Sequence, residues 1–240
     1  MRKLYAQNEL GFFFILLAVY LLLQNLGYRL SGLLGCDSAG TALLNLGFSL
    51  YLFFWLRREG LLGYYGLGKL RVPLKELLWL IPLVLLSTNN LWLGIHLPLS
   101  ASLLPGLVSM ACVGFLEELL MRGFLFRALA KDSLKLAVIV TSLTFGAGHL
   151  LNLFSAEGMA LVDNVLQIIT AMGIGLLYAV LLLRSGSLWP CIVSHSAIDV
   201  LYLVSRHAET AGQHLLLSGG SLLLMLGYTW YLLRTAPKNC

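Results

Sequence analysis

The chain has 240 residues, of which 59% are hydrophobic and 11% are charged, whereas soluble domains carry about 25% charged residues. A soluble protein of this size could not cover so many apolar side chains, so the composition excludes that class and indicates a membrane protein with several spans. The formal net charge is +5. The positive residues cluster in short loops between apolar runs, which is typical of membrane topology and argues against a nucleic-acid partner.

Eight apolar segments are long enough to cross the ~30 Å hydrocarbon core of a bilayer as helices. In chain order they cover residues 10–28, 40–56, 74–95, 103–127, 135–153, 162–183, 188–205 and 214–233. The third is the weakest prediction, because the polar stretch STNN at 87–90 interrupts it and Pro82 can bend it. No hydrophilic stretch is long enough to fold separately. We therefore expect one all-α transmembrane domain over residues 1–240, a bundle of about eight helices around an intramembrane active-site cavity.

An even number of spans places both termini on one side of the membrane, and the positive residues indicate which side it is. Of the 16 Lys and Arg residues, thirteen lie on the N-terminal side of the predicted spans: Arg2, Lys3, Arg57, Arg58, Lys69, Arg71, Lys75, Arg127, Lys131, Lys135, Arg184, Arg234 and Lys238. Arg29 and Arg206 lie on the opposite side, and the remaining one, Arg122, lies inside the fourth span. The positive-inside rule assigns the richer side to the cytoplasm. With its short loops and no organelle-targeting motif, the chain is expected in a bacterial cytoplasmic membrane, with both termini cytoplasmic.

A few ionisable residues lie well inside the predicted spans. They are Glu117, Glu118 and Arg122 on the fourth span, His149 on the fifth, and His195 and Asp199 on the seventh. Such groups are costly to bury and usually mark a functional site, although they can also serve only to join helices. The depth of each group can be estimated by counting residues from the cytoplasmic end of its span, at 1.5 Å per residue. With an ordinary helix tilt, the groups of all three spans lie near the middle of the bilayer. Their complementary chemistry favours a functional site.

Spacing separates the roles of these residues. Glu118 and Arg122 are four residues apart, so they lie on one helical face and can neutralise each other. Glu117 is rotated by ~100° from its neighbour and has no local cation, so we expect it to face a cavity and act as a base. His195 and Asp199 are also four apart and lie on one face of their helix.

Three motifs resemble those of the CAAX-processing and bacteriocin-processing (CPBP, or Abi) family of intramembrane proteases, which is similar to type II CAAX prenyl proteases. They are EELLMR at 117–122, FGAGH at 145–149 and HSAID at 195–199, matching Glu-Glu-x-x-x-Arg, Phe-x-x-x-His and His-x-x-x-Asn/Asp. Each motif alone is weak, but all three in this order on predicted spans are specific. The resemblance covers about residues 100–205, the core that carries the motifs. Asp199 takes the less frequent of the two options at its position.

The resemblance implies peptide-bond hydrolysis inside the membrane. In the mechanism proposed for the family, Glu117 is the general base and His149 helps it to activate a water, while His195 and Asp199 stabilise the oxyanion. Two residues support the helix and the charge balance: Glu118 and Arg122. The implied substrate is a membrane-embedded or lipidated peptide or protein, since eukaryotic members trim prenylated proteins and bacterial members are linked to bacteriocin maturation or self-immunity.

The family is called a metalloprotease family, but this sequence has no H-E-x-x-H motif on one helix. We therefore favour a mechanism without a metal cofactor. The alternative is a catalytic zinc ion held by His149, His195 and a carboxylate.

Two other function classes use similar residues. A proton-coupled transporter also buries Glu, His and Asp, but such transporters often have repeated halves, and no repeat is evident here. A non-catalytic immunity or scaffold protein on the same fold is the second alternative, and the intact motifs argue against it.

Overall fold

The computed structural model describes residues 1–68, 78–154, 161–208 and 210–235. Its α-helices are, in chain order, α1 (Arg2–Gln7), α2 (Glu9–Leu34), α3 (Ala39–Arg58), α4 (Ile81–Ser87), α5 (Leu103–Glu118), α6 (Phe126–Ala130), α7 (Leu134–Gly148), α8 (Leu161–Ser185), α9 (Trp189–Leu203) and α10 (Ala211–Thr235). Leu119–Leu125 is a π-helical segment that joins α5 to α6. Two 3-10 segments follow α4 and α7, at Asn89–Leu93 and His149–Phe154.

Six helical segments of the described chain are long and apolar enough to cross a membrane. They are Glu9–Leu34, Ala39–Arg58, Leu103–Ala130, Leu134–Leu153, Leu161–Ser185 and Gly212–Thr235. These segments correspond to six of the eight predicted spans. They confirm an all-α, polytopic helical bundle, and the protein is an integral membrane protein.

The third and seventh predicted spans form shorter helices than expected. Within the described residues the third is an apolar helix at Leu78–Ser87, and its predicted beginning at 74–77 lies outside them. It ends at Ser87, the first residue of STNN. A 3-10 segment follows, in which the Asn89 amide donates to Ser221 of α10 and the Asn90 amide donates to the carbonyl of Ile198 in α9. The seventh, α9, has 15 residues, or ~22 Å at 1.5 Å per residue. The two short helices contact each other through a 2.8 Å hydrogen bond between the hydroxyls of Ser87 and Ser194.

The distribution of Lys and Arg assigned several helix ends to one side of the membrane. In the structure, some of these ends contact one another. The Lys131 ammonium lies 2.7 Å from Glu9 at the start of α2. Arg184, at the end of α8, donates a 3.1 Å hydrogen bond to the carbonyl of Leu232 near the end of α10. The assignment of this side to the cytoplasm stays a prediction. Four residues that contributed to it lie outside the described part of the chain: Lys69, Arg71, Lys75 and Lys238.

The π-helical segment lies at the centre of the buried core. All seven of its residues are buried. On one side the ring of Phe12 in α2 packs edge-on against Phe124 at 5.5 Å between centroids. Because the segment lies in the interior, the carboxylates that directly precede it on α5 are carried into the middle of the bundle.

Two close helix approaches bring the motif helices together. At Gly114 a Cβ atom would lie 2.6 Å from the backbone nitrogen of Ser196, so α9 can pack directly on α5 only because this residue is glycine. The Ser196 hydroxyl then donates to the carbonyl of Ala111 at 2.9 Å. At Gly146 a Cβ atom would collide with Met172, so α7 approaches α8 in the same way. These contacts place the three motifs around one point.

Candidate active site

A fully buried ion pair lies where α5 passes into the π-helical segment. Arg122 Nη1 donates to Glu118 Oε1 at 3.1 Å, and both side chains are 0% exposed. The guanidinium also lies 4.1 Å above the ring of Phe145 and 5.5 Å from the ring of Tyr178. Cation–π attraction of this kind strengthens when it is desolvated, and it offsets part of the lost hydration of the cation. The Arg122 charge is therefore neutralised in place.

The neighbouring carboxylate, that of Glu117, points in a different direction. Its Oε1 accepts a 2.8 Å hydrogen bond from the hydroxyl of Tyr20 on α2. Its Oε2 lies 4.0 Å from Nε2 of His195, and the side chain is 24% exposed. Glu117 is thus separated from the buried ion pair and directed toward α9. π-helical turns such as the one that begins two residues later recur at functional sites.

The imidazole of His195 joins three carboxylates. Its Nδ1 lies 2.9 Å from Glu118 Oε1, and its Nε2 lies 3.4 Å from Asp199 Oδ2 and 4.0 Å from Glu117 Oε2. When protonated, the ring has a donor on each nitrogen to serve these acceptors. Glu118 therefore contacts both Arg122 and His195. The i, i+4 spacing that suggested a supporting role for Glu118 gave no indication of this second contact.

Phe145, the first residue of the FGAGH motif, stands between the two histidines of the site. Its ring centroid lies 5.7 Å from that of His149 and 5.6 Å from that of His195, both in near-perpendicular contact. The backbone carbonyl of His149 accepts a 2.8 Å hydrogen bond from Asn164 of α8. The motif thus supplies one imidazole and the aromatic ring that spaces it from the other.

A cavity of about 370 Å³ opens beside these groups, between α8, α9, α10 and the 3-10 segment at Asn89–Leu93. Its wall includes His149, His195 and Asp199, and the size is in the range of ligand-binding pockets. Glu117 is not among the described residues that line it, which differs from the expectation that this carboxylate faces the cavity directly. Its Oε2 lies 4.0 Å from Nε2 of His195, which does line the cavity. The other carboxylate oxygen is directed toward α2 because it accepts a hydrogen bond from the Tyr20 hydroxyl.

One comparison, that with protein families, gave a match. Residues 98–201 match the family model described as Type II CAAX prenyl endopeptidase Rce1-like. Residues 98–201, called the Rce1-like domain below, are similar to that family, and the match covers less than half of the chain. The match supports a CAAX-type intramembrane endopeptidase in general terms. No match was found among curated proteins or among solved structures.

The Rce1-like match contains every site residue predicted from the sequence. These are Glu117, Glu118, Arg122, His149, His195 and Asp199. Sequence reasoning missed Tyr20, which precedes the Rce1-like domain, and Tyr178, whose hydroxyl donates to Ser194 beside His195 at 2.8 Å. A signal for Tyr20 did exist, since Tyr20 and Gln24 are polar groups one turn apart in an otherwise apolar span.

The zinc alternative concerns His149, His195 and a carboxylate. In the described parts of the chain, no group of three or more His, Cys, Asp or Glu side chains could hold a metal ion. Both ring nitrogens of His195 already face carboxylate oxygens, those of Glu118 and Asp199. The choice between the metal-free mechanism and a zinc ion held by His149, His195 and a carboxylate stays a prediction.

Proposed function

We propose that this Rce1-like chain is an intramembrane endopeptidase that hydrolyses a peptide bond of its substrate with water activated by Glu117 and His149. One observation carries the proposal, the meeting of the three motifs. Nε2 of His195 lies 4.0 Å from Glu117 and 3.4 Å from Asp199, at a cavity that His149 also lines. This constellation has a base, an oxyanion donor and space for a substrate.

Each site residue has one role in the proposed reaction. Glu117 Oε2 accepts a proton from water, which His149 orients, as the water oxygen attacks the carbonyl carbon. His195 donates a hydrogen bond to the carbonyl oxygen as negative charge develops there, and Asp199 holds the His195 ring. The proton taken by Glu117 then passes to the leaving nitrogen as the C–N bond breaks. Glu117 is ionised again for the next cycle.

Glu118 and Arg122 support these groups without touching the reacting atoms. The Glu118 oxygen that accepts from Arg122 also faces Nδ1 of His195 at 2.9 Å. This contact fixes the orientation of the imidazole and leaves Nε2 directed toward Glu117, Asp199 and the cavity. Arg122 keeps the buried carboxylate in place by neutralising it.

The proposed substrate is a lipidated or membrane-embedded peptide, either prenylated or of the bacteriocin type. The cavity supports this choice because its wall is mainly apolar but includes amide side chains, such as Asn90 and Gln167, that can bond a peptide backbone. The proposed location is a bacterial cytoplasmic membrane with both termini in the cytoplasm, supported by the distribution of Lys and Arg. Reporter fusions after Glu59 and at the C-terminus should give the same cytoplasmic signal. Opposite signals would contradict this topology.

A cleavage assay on purified protein tests the function. The protein is reconstituted in vesicles without an ion gradient and given a prenylated peptide, the same peptide without its lipid, and a bacteriocin-type precursor. Mass spectrometry should find two products of hydrolysis from at least one substrate. Glu117→Gln should yield none above background, while Glu9→Gln, which alters a carboxylate remote from the site, should cleave like the wild type.

The same assay separates the alternatives. A proton-coupled transporter needs a gradient and releases an intact substrate. A scaffold protein keeps its function in the Glu117→Gln variant. Intact substrate in every wild-type reaction would overturn the proposed function.

A further inference from the structure

Tyr20 contacts the proposed base from outside the Rce1-like domain. It lies on α2, 97 positions before Glu117, and its hydroxyl donates to Glu117 Oε1 at 2.8 Å. The Tyr20 side chain is buried, with 5% of its surface exposed. A hydrogen bond to an ionised carboxylate is roughly twice as strong as one between neutral groups. The first long helix therefore takes part in the geometry of the site.

The contact leaves the two oxygens of Glu117 in different environments. Oε1 is occupied by the Tyr20 hydroxyl, whereas Oε2 faces Nε2 of His195 at 4.0 Å. The last torsion of a glutamate side chain has a broad energy profile, so a carboxylate held at neither oxygen can rotate. The Tyr20 bond fixes that rotation. It makes Oε2 the oxygen that is free to accept a proton.

Tyr20 is itself held firmly by the packing of α2. One turn further along α2, Gln24 Oε1 accepts a 3.4 Å hydrogen bond from Asn45 of α3, and Asn45 also donates to Ser109 of α5 at 3.2 Å. These contacts join α2, α3 and α5 just beside the site. The distance from Tyr20 to Glu117 is therefore set by three helices that pack together, as expected for a residue that positions another.

We propose that Tyr20 is a positioning residue of the endopeptidase, which orients the Glu117 carboxylate so that Oε2 faces the water. The inference rests on the proposed function and extends it to a helix that the Rce1-like match does not include. Tyr20 donates a hydrogen bond but transfers no proton, so it affects the rate through the orientation of Glu117. Removal of its hydroxyl should lower kcat and leave KM unchanged, because substrate contacts stay intact.

The test compares Tyr20→Phe with Tyr65→Phe, with kcat expressed per folded molecule. Tyr65 is a matched control, since it is also buried and its hydroxyl also makes one side-chain hydrogen bond, to Tyr5 at 3.1 Å. Tyr20→Phe should lower kcat roughly 10- to 100-fold, the range for a lost hydrogen bond to a charged group. Tyr65→Phe should keep the wild-type kcat. Incorporation of 4-aminophenylalanine at position 20 restores a donor and should recover most of the rate.

A double variant shows whether Tyr20 acts through Glu117. The shorter side chain of Glu117→Asp withdraws the carboxylate from the Tyr20 hydroxyl. Adding Tyr20→Phe to that background should therefore change kcat less than about threefold. An equal effect of Tyr20→Phe in both backgrounds overturns the proposal.

The two proposals fail in different ways. If the wild type cleaves no substrate, the endopeptidase function fails. If the wild type cleaves and Glu117→Gln does not, but Tyr20→Phe keeps kcat within threefold, only the role of Tyr20 fails. A fall in melting temperature without a fall in kcat likewise assigns Tyr20 to structure alone and overturns the proposal.

Discussion

Glu117 and Glu118 are adjacent in the chain, yet their surroundings differ. Glu118 is 0% exposed and its Oε1 faces both Arg122 and His195. Glu117 is 24% exposed and has one oxygen bonded to Tyr20 and the other directed toward His195 at a longer distance. One carboxylate is enclosed by partners, and the other keeps an oxygen available.

This difference explains how a membrane helix can carry two adjacent carboxylates. A buried charge persists only when it is paired, so Glu118 depends on Arg122. A base must reach the reacting atoms, so Glu117 must not be fully paired. A rotation of ~100° between consecutive residues of a helix separates these two requirements. Variants that alter the surroundings of Glu117 should therefore affect mainly activity, and variants that alter those of Glu118 should affect mainly folding.

Apart from changes to Glu117 itself, the largest loss of activity is expected for His149→Ala. The variant removes the imidazole that helps Glu117 to hold the water, so kcat should fall to the upper end of the general-base range, about 10⁴-fold. The yield of folded protein should stay near wild type because the His149 side chain is not fully buried. The cleavage assay and the melting temperature of the purified variant check this. Cleavage within tenfold of wild type would remove His149 from the mechanism.

A smaller loss is expected when the residue that joins the two carboxylates is removed. His195→Ala should lower kcat by at least ~10²-fold, because the oxyanion loses a donor. It should also lower stability modestly, since Glu118 loses one of its two partners. The variant therefore tests the contribution of His195 to activity and its contribution to the stability of buried Glu118 in one protein. A loss of stability with wild-type kcat would make His195 a structural residue only.

Arg122→Ala tests whether the buried carboxylate of Glu118 depends on its cation. The variant leaves Glu118 buried without its cation, which in other proteins costs about 3–5 kcal/mol. The yield of folded, monodisperse protein and its melting temperature should fall clearly. Arg58→Ala, at an exposed position, is the control and should change neither quantity. Wild-type yield of Arg122→Ala with activity alone abolished would assign Arg122 to the chemistry.

The smallest effect is expected from removal of metal ions. Because the proposed mechanism activates water with Glu117 and His149 and uses no metal, chelation followed by buffer exchange should leave the cleavage rate unchanged. Elemental analysis of the stripped protein provides the control for complete removal. A stoichiometric zinc ion whose loss abolishes activity, and whose return restores it, would contradict the metal-free mechanism.

Much of the fold could be predicted from the sequence because apolar length is a strong signal for membrane helices. Six predicted spans are full-length helices. The helices found in the third and seventh predicted spans are shorter than expected, since an apolar pattern does not show where a helix ends. The polar residues of STNN visibly interrupt the third apolar segment. Their bonds from Asn89 to Ser221 and from Asn90 to the carbonyl of Ile198 depend on packing that the pattern does not contain.

The sequence predicted which residues form the candidate site, and that assignment stays a prediction, whereas the contacts between helices could not be predicted. The i, i+4 spacing places Glu118 beside Arg122, and His195 beside Asp199, because both pairs lie within one helix. The bond between His195 and Glu118 joins residues 77 positions apart, and that between Tyr20 and Glu117 joins residues 97 apart. Such contacts arise from how helices pack, and close approach at Gly114 is part of their cause. A single sequence gives no distance between helices.

The most direct test of the account measures Glu117→Gln and Glu118→Gln in parallel, with kcat per folded molecule and melting temperature taken from the same preparations. Both changes remove one charge and keep the shape of the side chain. Glu117→Gln should lose cleavage by about 10⁴-fold or more and keep or raise the melting temperature, since a partly buried carboxylate is costly to fold around. Glu118→Gln should lower the melting temperature and keep more activity per folded molecule. The opposite assignment, or cleavage by Glu117→Gln within tenfold of wild type, would contradict the central claim.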